Sequence, residues 1–141
     1  MSGHANIRTG HRAMIAAPLT ATRLTYAIAG VAALLHGYVA LFKADGGFSL
    51  FLVGLLLVSM LPYAIAAGIA YVPSRAGFGL GYAVACLAGD LFMHYAVFIA
   101  PKGSTAALGL LFMPIWNLII LGPIGGVVFW LVGRFLLTHR R

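Results

Sequence analysis

From Leu24 onward the chain alternates long apolar runs with very short polar breaks. The runs cover about 24–42, 48–71, 77–100 and 105–137, and the breaks are Lys43-Ala-Asp-Gly-Gly47, Val72-Pro-Ser-Arg-Ala76 and Pro101-Lys-Gly103. Each run is near or above the ~20 residues that carry a helix across the roughly 30 Å hydrocarbon core of a bilayer. The pattern predicts an all-α membrane protein, a four-transmembrane-helix bundle forming one domain over 24–141. Ahead of it, residues 1–23 are polar and basic, with His4, Arg8, His11 and Arg12, broken by Pro18 and closed by Arg23. They read as a cytoplasmic tail, and Met14, Ile15 and Leu19 would let some of it rest on the membrane surface. The first apolar run exceeds a signal-peptide core and no small-x-small site follows it before Lys43, so it reads as a span.

Inside the runs, small residues recur every four positions: Ala29, Ala33 and Gly37 in the first, Gly81, Ala85 and Gly89 in the third. That spacing builds one small-residue face per helix, on which a second backbone can approach closely. Gly81, Ala85 and Gly89 are therefore expected to be packing positions. Pro62 interrupts the second run and should kink it. The fourth run is too long for one straight span, since at 1.5 Å per residue it would reach about 50 Å. Pro114 and Pro123 offer places to break it. The expected solution is a short outer helix over Thr105–Phe112, capped by Ser104 or Thr105, then a span over Pro114–Leu137 kinked near Gly122-Pro123. A single tilted, kinked helix is the alternative.

Composition sharpens this picture. The chain has 141 residues, 62% hydrophobic and 8% charged, with mean hydropathy +1.03. A soluble domain would be about half apolar and about a quarter charged, so no soluble catalytic domain fits here and the chain does not read as an enzyme. The net charge of +7 is not laid out as a nucleic-acid groove. With the N-terminus inside, Arg8, Arg12, Arg23, Arg75, Arg134, Arg140 and Arg141 lie on the cytoplasmic side and only Lys43 and Lys102 on the other. This positive-inside bias predicts both termini in the cytoplasm. The short loops and Arg-rich flanks suggest a bacterial inner membrane. Cys86 is the single cysteine, reads as a small packing residue, and leaves no paired-thiol metal or redox motif. Gly77-x-Gly79-x-Gly81 follows no strand, which excludes a dinucleotide fingerprint.

Against this apolar background a few polar positions stand out. The chain has two acidic residues, Asp45 in a break and Asp90 inside the third span. Intramembrane carboxylates are expensive and mark functional sites by default. His94 lies four residues from Asp90, one turn away on the same helix face. His36 and His94 each sit six residues before the end of a span running in the same direction, and so at similar depth. Asn117 reaches that layer if the last helix breaks at Pro114, and Tyr63 or Tyr95 would be nearby. The candidate ligand- or proton-binding set is therefore Asp90, His94, His36 and Asn117, with no catalytic residue and no metal site expected.

Three readings of function follow. The first is a small multi-pass membrane protein acting by helix association, as a homo-oligomer or as an accessory subunit of a membrane complex. The second is an oligomeric small-solute or proton-coupled transporter using the Asp90/His94 seam. The third has heme b held between His36 and His94. The expected surroundings in each case are the lipid bilayer and partner membrane helices, with no nucleic acid.

Overall fold

The computed structural model describes the backbone of residues 3–42, 49–100 and 106–138, and side chains over 19–42, 49–100 and 108–136. The breaks at Lys43–Gly47 and Pro101–Gly103 and the caps at Ser104 or Thr105 lie outside the described residues. The described chain is helical throughout: α1 Gly3–Phe42, α2 Leu50–Tyr71, α3 Ala76–Phe98, α4 Ala106–Trp116 and α5 Gly122–Thr138. Four stretches, Leu19–Phe42, Leu50–Tyr71, Pro73–Phe98 and Leu108–Leu136, are long and apolar enough to cross a membrane.

Local chemistry sets the boundaries of the middle two spans. Ser49 is extended and its hydroxyl accepts from Leu52 N–H at 3.3 Å, which caps the start of α2. Pro73 excludes helical geometry from the residue before it, so Val72 is extended (φ −84°, ψ 113°) and α2 ends at Tyr71. A single 3₁₀ turn, Pro73–Arg75, then leads into α3.

The backbone of the polar N-terminal tail is helical from Gly3 and continuous with the first span. Good helix formers (Arg12, Ala13, Met14, Ala16 and Ala17) precede Pro18, and their propensity extends the helix outward. The last run forms one interrupted helix, without a separate outer segment ending at Phe112. Its interruption lies between the two prolines, as a π-helical turn over Asn117–Leu121 joining α4 to α5. Pro114 and Pro123 both remain within helical backbone.

α3 is the central helix and packs against α1, α2, α4 and α5. Its small residues set how closely the others approach. A methyl group added at Gly81 would run into the Gly125 carbonyl oxygen and the Phe129 side chain, and one at Gly125 would meet the Ala85 methyl. On another face, a Cβ at Gly79 would lie 2.7 Å from Ala66 O and from Ala70 Cβ of α2. Mid-bundle, Ala32, Tyr63, Ala66, Tyr82, Ala83 and Cys86 form the buried cluster.

The outside inverts the pattern of a soluble protein. Leu34, Phe42, Leu57, Phe92, Ile119 and Phe135 are exposed, while Thr25, Ser59, Asp90, His94 and Asn117 are buried. Such an apolar exterior would be a large interaction surface in water, but it is the expected face toward lipid. Two threonines follow the same logic: Thr22 donates to the Ala70 carbonyl at 2.8 Å, tying α1 to the end of α2, and Thr25 bonds back to Ala21 O at 2.9 Å.

The seam predicts graded costs for one added methyl. Gly81→Ala must push α3 and α5 apart where their backbones meet, and should destabilise by about 1–3 kcal/mol. Gly89→Ala meets only side-chain ends, those of Met113, Leu121 and Asn117, and should cost less, whereas Gly133→Ala enters open space and should be near neutral. Thermal unfolding of the three variants in detergent checks the order. Equal midpoints for Gly81→Ala and Gly133→Ala would mean that α3 and α5 do not meet at Gly81.

Candidate functional site

The Asp90 carboxylate lies 1% exposed at the middle of the bundle and collects a hydrogen bond from each of the other three spans. Tyr63 of α2 donates its hydroxyl to Oδ2 at 2.5 Å. His36 of α1 places Nε2 at 2.9 Å from the same oxygen. Asn117, the first residue of the π turn, donates Nδ2–H to Oδ1 at 2.7 Å. A carboxylate buried without such donors would be strongly disfavoured. The Tyr63 and Asn117 hydrogens have fixed owners, so only the hydrogen between Oδ2 and His36 Nε2 can sit on either side.

His94 does not bond the Asp90 side chain, contrary to the simplest reading of their four-residue spacing. Its Nδ1 lies 2.6 Å from the Asp90 main-chain carbonyl, one turn earlier on α3. A carbonyl oxygen only accepts, so Nδ1 carries the hydrogen and the neutral ring holds a bare lone pair on Nε2. That nitrogen is buried and has no hydrogen-bond partner. The His36 and His94 rings meet edge to face with centroids 5.4 Å apart. All four polar candidates thus fall in one cluster, together with Tyr63. Tyr95 is half exposed on the outside of the bundle and does not join them.

Asn117 reaches the cluster because of the π turn, and not because of a break at Pro114. In that register Gly122 N–H bonds the Asn117 carbonyl, five residues back. The next amide in sequence would serve the Leu118 carbonyl, but residue 123 is a proline and has no N–H. The Tyr82 hydroxyl of α3 takes its place, donating to Leu118 O at 3.0 Å. The Cys86 thiol points at the Asn117 carbonyl at 3.6 Å, so this residue does more than fill space. Sequence reasoning missed the roles of Tyr82 and Cys86. Their signal was present in Pro123, whose absent donor requires a substitute somewhere on a neighbouring helix.

Beside the cluster lies a cavity of about 80 Å³, bordered by His36, Asp90, His94 and Ser59 on one side and by Val39, Leu52, Leu55, Leu56 and Leu110 on the other. It is far smaller than the ~300 Å³ at which pockets for drug-sized ligands begin. With the two imidazoles in mutual contact and His36 Nε2 on Asp90, the geometry does not fit a porphyrin held between them. Among the described residues no three His, Cys, Asp or Glu side chains are arranged to hold a metal ion.

Comparison of the chain with protein-family models, with curated proteins and with solved structures finds no match.

The substitution of Tyr82 for a missing amide gives a coupled prediction. Tyr82→Phe should cost about 1–3 kcal/mol, because it leaves the Leu118 carbonyl without a donor. In a Pro123→Ala background the restored N–H can serve that carbonyl, and Tyr82→Phe should then cost distinctly less. A double-mutant cycle on unfolding in detergent reads the coupling. Strictly additive costs would show that the Tyr82 hydroxyl does not stand in for the amide.

Proposed function

We propose that this chain is a multi-pass inner-membrane protein, both termini cytoplasmic, whose activity is proton-coupled handling of a small solute at the Asp90–His36–His94 centre. The observation that carries the reading is the unpartnered, buried Nε2 of His94 beside a cavity. A polar cluster serving only to lock helices has no use for an imidazole lone pair held ready and left empty. The movable hydrogen between Asp90 and His36 supplies a second requirement of such a site, a proton that changes owner without rearranging the fold. Seven Arg on one side against Lys43 and Lys102 on the other support the orientation. Four spans seldom enclose a pathway alone, so the working form on this reading is an oligomer.

Association as the main role has one observation in its favour. An open apolar groove of about 610 Å³ runs between α3 and the last helix, lined by Gly89, Phe92, Met93, Gly109, Phe112 and Trp116 among others. Small residues under an apolar groove suit a helix from another chain. The two readings are compatible, since association would build the oligomer that the carrier requires.

Asp90→Asn separates an active centre from a structural lock. The amide oxygen keeps an acceptor for both Tyr63 and His36, and the new NH2 faces Asn117, whose amide can turn over to accept from it, so the fold should survive with a loss of about 1–3 kcal/mol. It cannot exchange a proton, so complementation of a deletion phenotype should be lost, as it should be in His94→Ala. Full complementation by both variants would remove the carrier reading. Orientation is checked separately with single cysteines at Ala44, Ser74 and Gly103 in Cys86→Ala. Membrane-impermeant reagent outside the cell should label 44 and 103 but not 74, and the reverse pattern would invert the topology.

A further inference from the structure

We propose that the cavity beside His94 is a binding chamber for a small ammonium-type cation, either ammonium itself or a short primary alkylammonium. The inference rests on reading the centre as a solute site, and adds the class of solute and its side of entry.

The direction of every hydrogen bond in the centre is fixed or nearly so, and the sum is an excess of acceptors. The donors of Tyr63, Asn117 and His36 are all committed to the Asp90 carboxylate. His94 Nδ1–H is committed to the Asp90 carbonyl. Of the buried side-chain atoms left without a partner among the described residues, His94 Nε2 belongs to a residue lining the chamber and is an acceptor, whereas Asn117 Oδ1 lies toward Gly89, away from the lining. A ligand must therefore bring hydrogens, and the carboxylate at the base of the chamber favours one that also brings positive charge. An anion could take the Ser59 hydroxyl but would face the Asp90 carboxylate.

The remaining cations are separated by coordination chemistry. A transition-metal ion takes several ligands at once, and among the described residues no three His, Cys, Asp or Glu side chains are arranged to hold one. An alkali ion sheds its water only for a shell of oxygens, which walls of Val39, Leu52, Leu55, Leu56 and Leu110 do not supply. An ammonium group needs only a few directed acceptors, and a short alkyl tail suits the leucine side. The volume of about 80 Å³ admits a handful of non-hydrogen atoms. It would equally hold a few waters, which is the competing occupant.

The position of the chamber fixes its entrance. Val39 and Ala40 lie in the last turn of α1, Leu52, Leu55 and Leu56 in the first two turns of α2, and Leu110 near the start of α4. On the opposite side of Asp90 the bundle is closed by Ala32, Tyr63, Ala66, Ala83 and Cys86, each at most 1% exposed. The solute enters from the end where α1 finishes and α2 begins, which is the non-cytoplasmic face in the proposed topology.

The test uses the full chain in detergent, with methylammonium chloride as the probe and thermal unfolding as the readout. At tenfold excess over its dissociation constant the probe should raise Tm by on the order of 5 °C, saturably. Tetramethylammonium chloride, equally charged but without N–H, and sodium chloride at the same ionic strength should not. His94→Leu removes the acceptor, and Ala40→Leu fills the chamber without touching any hydrogen bond of the centre; each should abolish the rise. If His94→Leu fails to fold, Ala40→Leu decides alone. No rise above sodium chloride, an equal rise with tetramethylammonium, or a rise that survives Ala40→Leu would overturn the proposal and leave water as the occupant. Failure here while Asp90→Asn still abolishes complementation removes the ligand class and leaves the carrier reading standing. Saturable binding with full complementation by Asp90→Asn does the opposite.

Discussion

A carboxylate in the middle of an apolar bundle constrains everything around it. Each hydrogen bond to a charged group contributes roughly 1.5–3 kcal/mol, while withdrawing the charge from water costs several kcal/mol. The net stability from Asp90 is therefore small, but the penalty for any arrangement that omits a donor is large. Since the donors come from α1, α2 and the π turn, one residue of α3 holds every other span in a particular rotation and depth. In lipid this matters more than in water, because there is no hydrophobic drive pushing helices together. Small residues let the helices approach, and the carboxylate selects which approach is right.

The two sides of α3 divide the work. Toward α5 it presents Gly81 and Ala85 to Gly125 with backbones in near contact, a seam with no slack. Toward α1 and α2 it presents Asp90 and His94, and beyond them a cavity walled by leucines. Interdigitated glycines resist sliding, whereas leucine side chains around a void can change rotamer without moving backbone. On the proposed carrier reading, motion that admits a solute belongs on the α1–α2 side, with α3 and the last helix as the fixed half.

Much of this was legible in the sequence, for identifiable reasons. Apolar run length located four spans that the helices follow closely, because bilayer thickness leaves little freedom. Four-residue spacing of Gly81, Ala85 and Gly89 put them on one face. Rarity alone pointed to Asp90, His94, His36 and Asn117, since polar residues inside apolar runs have few places to go. What could not be read was the pairing. The four-residue rule brings Asp90 and His94 to the same face, but it does not say that the shorter bond runs from the ring to the main chain, leaving the carboxylate to His36. Nor did two prolines reveal which backbone register they would produce. A π turn between them depends on Tyr82 and Cys86 of another helix accepting the consequences, and that is a tertiary fact.

The same dependence explains why the centre is poised as well as satisfied. Asn117 is turned inward by a register that leaves a carbonyl open, and that carbonyl is closed from α3, the helix that carries Asp90. The last helix is thus clamped to α3 at Leu118 and Asn117 together, and cannot rotate to offer Asn117 Oδ1 a donor without losing the Tyr82 bond. His94 is held in a similar way, because its Nδ1–H is spent on its own helix and its ring cannot swing to bond the carboxylate. Both unpartnered acceptors are consequences of bonds made elsewhere in the cluster. On the proposed reading a solute supplies the partner that these bonds withhold from His94, where a bound water would otherwise sit.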